Sequence, residues 1–246
     1  MKTLYLAWQA PVNRLWYPVG RLEANPEQSE YIFQYVHGVR DAQQQGFHPL
    51  SGFPKLGESY HSSELFPFFR NRVMALHRRS FAEYIASLGM DQNHVDFLDI
   101  LAVTGGERQT DSFEVFQKPD VGQEGQLRIR FFLHGLKYCN DAARKRSLTL
   151  EVGDKLKILV DYQNEADGYA LHIATQDNHL IGWLPRYLRE DLAKPSTLAE
   201  VGLMVVRNNP EGTPLNRKLL LELTAKLPAD TQPMSNVHFQ PFGNMC

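Results

Sequence analysis

Between Phe131 and Leu192 the chain offers short alternating or β-branched stretches broken by explicit turn chemistry, and no other feature narrows its possible folds as much. Four segments read as strands: Leu148 to Glu151, Lys155 to Asp161, Tyr169 to Thr175 and Leu180 to Pro185. Val152-Gly153-Asp154, Asn164-Glu165-Ala166-Asp167-Gly168 and Asp177-Asn178 supply the turns between them. Gly tolerates left-handed backbone there, and Asn and Asp side chains bond their own main chain. A compact β-rich module is expected, with Ile181-Gly182-Trp183-Leu184-Pro185-Arg186 leading out of the last strand into a helix.

Three blocks in this order carry a resemblance: Gly135-Leu136-Lys137-Tyr138, Gln163-Asn164-Glu165-Ala166-Asp167-Gly168-Tyr169-Ala170-Leu171, and Ile181 to Arg186. Over about a third of the chain the sequence resembles the HIRAN domain. That family is a small β-barrel, found at the front of some DNA-repair helicases and as a stand-alone bacterial protein, that grips DNA at a free 3′ end. The resemblance implies a basic and aromatic pair at Lys137 and Tyr138, a polar loop with Asn164 and Asp167, and Trp183 with Arg186 at the strand-to-helix exit. Cys139 and Ala166 stand where helicase members often carry further aromatics, which shifts stacking onto Trp183 or Tyr169.

The residue types suit that role. An aromatic face stacks on any base, worth about 1–3 kcal/mol, and Lys or Arg neutralises phosphate. A carboxylate such as Asp167 repels a phosphodiester but accepts a hydrogen bond from a terminal hydroxyl, so it favours an unblocked sugar end. Each residue also has a plainer role: Tyr138 as a rim aromatic with a satisfied hydroxyl, Trp183 as the plug of a small barrel, Asp167 as a turn former.

Charge is unevenly spread. Residues 1–125 hold 11 Lys/Arg against 15 Asp/Glu, whereas residues 126–157 hold 8 basic and 3 acidic residues. The basic run comprises Arg128, Arg130, Lys137, Arg144, Lys145, Arg146, Lys155 and Lys157. Arg144, Lys145 and Arg146 are the supporting patch for nucleic acid, with a solvated face as the alternative. Two cysteines, Cys139 and Cys246, are too few for a disulfide framework, and the nine His show no zinc spacing, so neither metal nor cofactor is expected. Met1 to Trp16 lacks the pattern of a signal peptide and no apolar run approaches about 20 residues. A cytoplasmic protein with no membrane partner is expected.

The first half reads as a meander, Thr3 to Gln9, Tyr17 to Ala24 and Tyr31 to Val36, followed by a Gly/Pro-dense loop over His48 to Gly57. A helix is expected from Ser62-Ser63-Glu64, others over Ser80 to Leu88 and Asp96 to Leu101, and a strand over Ser112 to Gln117. Val19 to Leu22, the Pro-Leu-Ser-Gly-Phe-Pro loop and Glu64 to Arg72 resemble the N-terminal subdomain of HipA-type toxin kinases. That resemblance implies a partner-binding barrel, not the kinase, and no ATP-binding Lys with catalytic and metal-binding Asp in kinase order is present. Arg70, Arg72, Arg78 and Arg79 form a second basic run, read as a solvated helix face or an extension of the DNA track. Gly105-Gly106 reads as a helix stop, and Ser62 and Ser63 beside His61 as a helix N-cap rather than a nucleophile. A strand over Gly202 to Arg207 and a helix over Pro214 to Ala225, with Leu215, Leu219, Leu220 and Leu223 inward, complete the chain.

The fold class expected is α+β, mainly β: two small β-barrel-like modules with flanking helices. Residues 1–118 form the first, 119–125 the linker, 126–228 the second with a C-terminal helix, and 229–246 a tail. The function expected is non-enzymatic recognition of single-stranded or frayed DNA ends with a free 3′ hydroxyl, in a DNA-repair setting. The alternative is an interaction module that docks through residues 1–118 onto a HipA-like kinase or a DNA-processing ATPase.

Overall fold

A computed structural model describes residues 1–75, 77–93, 95–108, 110–163, 169–192, 195–228 and 231–243. The chain runs β1 (Lys2–Gln9), β2 (Trp16–Asn25), β3 (Glu30–Tyr35), α1 (Val39–Gln44), β4 (Ser59–Ser62), α2 (Pro67–Arg70), α3 (Phe81–Ser87), α4 (Phe97–Thr104) and β5 (Phe113–Gln117). It continues with β6 (Gln126–Phe132), α5 (Asp141–Leu148), β7 (Lys157–Asp161), β8 (Ala170–Ala174), β9 (Leu180–Trp183), α6 (Arg186–Leu192), α7 (Pro195–Leu198), β10 (Gly202–Asn208) and β11 (Leu219–Lys226). The α+β, mainly β class holds. The strands form open sheets, and no continuous closed barrel is formed among the described residues.

Two compact units result. The first comprises Met1–Phe81, His94–Lys118 and Met234–Cys246; the second Ala82–Asn93 and Pro119–Pro233. In the first, an antiparallel sheet in the order β4-β3-β2-β1-β5 covers an aromatic core. Phe33 stacks on Phe53 with ring centroids 4.1 Å apart, and Phe69 and Tyr35 pack around the pair. The Tyr35 hydroxyl donates to the Phe53 carbonyl (2.7 Å) and accepts from the Leu50 N–H (2.8 Å), which fastens the Gly/Pro-dense loop. Burial pushes this phenol up to about 12. β1 is buried on both faces, and on one of them Tyr5 meets Phe239 at 4.8 Å. Phe239 belongs to the segment expected as a tail. That segment bridges β3 instead: Val36 pairs with Pro241, and the Phe242 N–H donates to the Tyr35 carbonyl at 2.7 Å.

The expected helix from Ser62 does not form. Ser62 ends β4, its hydroxyl donates to the Glu64 carbonyl (2.6 Å) and accepts from the Glu64 N–H (3.1 Å), and this local turn replaces a helix cap. α2 starts later, at Pro67, where the fixed φ of proline suits a first helical residue. Arg72 is not on a solvated face. Its side chain is 1% exposed, its guanidinium donates to both Asp111 carboxylate oxygens (3.1 and 2.6 Å) and to the Gly106 carbonyl (3.0 Å), and it lies over the Phe68 ring at 4.2 Å.

The second unit holds two three-stranded antiparallel sheets, β10-β11-β6 and β7-β8-β9. Isolated bridges join them at both ends, His134 with Trp183 and Lys155 with Met204. The expected helix over Pro214 to Ala225 is instead β11, the central strand of its sheet. Leu219 to Glu222 are all buried, because β10 and β6 flank the strand and both of its faces are covered. Leu148 to Glu151 is not a strand either. Asn140 caps α5 through the Ala143 N–H (2.8 Å), and the freed carbonyls of Ser147, Leu148 and Leu150 at its end all accept from the Asn208 side-chain amide. α3 is fastened to this unit: the Ser87 carbonyl accepts from Asn209 Nδ2 at 3.0 Å.

Candidate nucleic-acid interface

The expected basic and aromatic pair sits where β6 ends. The chain passes His134, turns at Gly135 with φ 80, and makes one 3-10 turn, Leu136–Tyr138. Leu136 is buried and anchors the turn, which leaves Lys137 and Tyr138 outside. Tyr138 is 68% exposed, and the Lys137 Nζ lies 4.7 Å from its ring centroid. That contact turns the ammonium toward the ring face, the arrangement of a cation–π pair. Cys139 follows with its thiol directed to the Gly135 carbonyl at 3.8 Å, and burial pushes the thiol up, keeping it neutral.

Trp183 lies beneath this turn. Its N–H donates to the His134 carbonyl at 3.0 Å, and its ring occupies the space that a side chain at Gly135 would need: a Cβ there would fall 2.5 Å from Cζ3 and closer still to Cε3. Gly182 is required for the same approach, since a Cβ on it would run into the His134 carbonyl and the Leu133 side chain. Lys137, Tyr138 and Trp183 thus gather at one place. Arg186 opens α6 three residues further on and is half-buried. Asn164 and Asp167 lie outside the described residues.

The supporting patch is less free than its charge suggests. Arg144 pairs with Asp141 and donates to the Lys137 carbonyl at 3.2 Å. Arg146 pairs with Asp177 at 3.0 Å and donates to Thr149 Oγ1 at 2.9 Å. The Asp177 carboxyl is held down at about 2 by hydrogen bonds from the Thr175 side chain and then from Arg146. Arg130 and Arg128 flank Glu222 at 2.8 and 3.7 Å, and Lys157 donates to the Gln176 carbonyl and Asn178 Oδ1. Lys137, Lys145 and Lys155 are exposed, as are Arg128 and Arg130 beside Glu222. The basic run therefore divides into arginines engaged with carboxylates and exposed lysines that are not.

His172 escaped the sequence reading. It lies on β8 opposite Trp183, ring centroids 5.2 Å apart, and its Nε2 stands 3.3 Å from Asp161 Oδ2. Its signal was the alternation of β8, where Leu171 and Ile173 are buried and His172 between them faces the other way. Tyr169 does not offer a bare ring. The Arg189 guanidinium covers it at 4.4 Å and donates to its carbonyl at 2.9 Å.

An exposed aromatic and a neighbouring lysine above a tryptophan are side chains that can meet a base and a phosphate. Residues 126–224 match the family model of the HIRAN domain, a nucleic-acid-binding domain, from the first residue of β6 into β11. A DNA-binding role for the second unit follows from that match. No curated protein and no solved structure matches the chain. The matched residues leave the region of the HipA-type resemblance, 1–118, outside them. Among the described residues, no helix is long and apolar enough to cross a membrane, and no group of three or more His, Cys, Asp or Glu is placed to hold a metal ion.

Proposed function

We propose that the second unit binds single-stranded or frayed DNA at an end with a free 3′ hydroxyl, and that it does so without catalysis or cofactor. The observation that carries this reading is the pairing of Lys137 and Tyr138 on one exposed 3-10 turn above Trp183. Tyr138 offers a face for a base, and Lys137 lies close enough to neutralise the phosphate beside that base. A phosphate is the less suitable neighbour for Asp167, whose carboxylate repels it and accepts from a hydroxyl instead. Arg186 adds a second cation at the start of α6.

A linear single strand set against a closed circle of the same sequence tests the reading, because the circle offers identical bases and phosphates but no end. Preference for the linear strand, lost on Tyr138→Ala, supports it. Equal affinity for the two would reduce the protein to a general single-strand binder.

A further inference from the structure

The second unit contains an open cavity of about 760 Å³ that DNA recognition leaves unused. The chain enters this unit for the last time at Pro119 and leaves it after Pro233. Part of the linker that follows the entry and part of the stretch from Lys226 to Gln232 that precedes the exit line the cavity, together with Thr197 and Glu200. The two stretches are fastened to each other, since the Leu227 N–H donates to the Gly125 carbonyl at 2.9 Å. A Cβ on Gly125 would run into the Leu227 carbonyl, so this approach requires glycine.

Three charged side chains line the cavity: Glu124, Glu200 and Lys226. All three are exposed, and none has an ion-pair partner among the described residues. Thr197 is of another kind. It is 1% exposed, and its hydroxyl meets no hydrogen-bond partner among the described residues. A buried hydroxyl left in that state costs free energy that a polar ligand atom removes.

We infer that the cavity binds a short peptide with both termini free, its ammonium held by Glu124 and Glu200 and its carboxylate by Lys226. The set of charges separates this ligand from others. A phosphate ester meets two carboxylates and one ammonium, a net repulsion. A diamine leaves Lys226 opposed to a like charge. A zwitterion meets every lining charge with its opposite, and charge-assisted hydrogen bonds of that kind are the strong ones. Amide groups between the termini suit Thr197, Thr231 and Gln232, and cavities of roughly 300–1,000 Å³ enclose ligands of the size of a tripeptide.

The site stands apart from the turn at Lys137 and Tyr138. Gln126 pairs with Lys226 at one end of β6, whereas Phe132, paired with Leu220, leads from the other end toward Gly135. A rise of about 3.3 Å per residue sets those ends about 20 Å apart. The inference therefore does not depend on DNA binding, and peptide and DNA do not compete.

The test is calorimetric titration of the full chain with trialanine, N-acetylated trialanine, trialanine amide, putrescine and inorganic phosphate. Trialanine binds, each blocked terminus weakens it by about tenfold, and putrescine and phosphate bind more weakly than the free peptide. Glu124→Gln with Glu200→Gln abolishes the cost of acetylation, and Lys226→Gln abolishes the cost of amidation. Both variants keep the thermal transition and the affinity for a short single strand. Equal binding of free and blocked peptides, or putrescine bound more tightly than trialanine, overturns the inference. So does the absence of any heat with trialanine at millimolar concentration.

Discussion

Gly135 and Trp183 touch so closely that the first atom of any side chain at Gly135 would overlap the indole. Gly135 also sits at φ 80, a conformation that L side chains rarely adopt. Gly135→Ala therefore meets two penalties, and a stability loss of about 1–3 kcal/mol is expected in urea unfolding. The tryptophan must move, so affinity for a single strand falls as well. An unchanged unfolding midpoint would mean that the turn is not packed on Trp183.

Arg72 gives the clearest stability prediction in the first unit. Removing a buried partner strands the other charge, so Arg72→Ala is expected to cost about 3–5 kcal/mol. Arg72→Lys should recover only part of that, because an ammonium cannot hold both Asp111 oxygens in the same fork. Equal stability of Lys and Arg at this position, by thermal unfolding, would show that the paired geometry is irrelevant.

What could be read from the sequence follows from local pattern. β1, β2 and β3, and β7, β8 and β9, announce themselves by alternation and by Gly, Asn and Asp between them. β11 does not, because Leu219, Leu220 and Leu223 fit one side of a helix as well as a strand buried on both faces, and only its neighbours β10 and β6 decide. α5 is hidden for another reason: its run of Arg and Lys has no apolar face to reveal a period, and its end depends on Asn208, about 60 residues away. At the candidate site, Lys137, Tyr138 and Trp183 were legible through the order of their blocks. His172 was not, since a single polar residue in a short strand acquires its partners, Asp161 and Trp183, only from sheet register.

Asp177 sets a pH dependence. Its carboxyl titrates at about 2 in the folded chain and at an ordinary 3.8 when free of its partners. A depressed value contributes stability above about pH 4, and that contribution is lost as the pH falls through 2. Acid unfolding of Asp177→Asn should accordingly be less steep between pH 4 and 2. Carboxyl NMR should place the Asp177 midpoint near 2, and Arg146→Ala should move it upward. A midpoint unmoved by Arg146→Ala would remove that pair from the balance.

Salt dependence separates the cations proposed to meet DNA from those that serve the fold. Lys137→Ala and Arg186→Ala should each flatten the plot of log affinity against log salt by about 0.7–1. Arg130→Ala should leave the slope alone, because Glu222 already engages that guanidinium. A slope unchanged by Lys137→Ala would take that residue out of the interface.

End recognition itself is tested most directly by fluorescence anisotropy of one short labelled strand in two forms, 3′ hydroxyl and 3′ phosphate, with a blunt duplex as control and at two salt concentrations. The expected result is tighter binding of the hydroxyl form at both salts, a preference that disappears in Asp167→Ala. Equal binding of the two forms by the unaltered protein would contradict recognition of a free 3′ end.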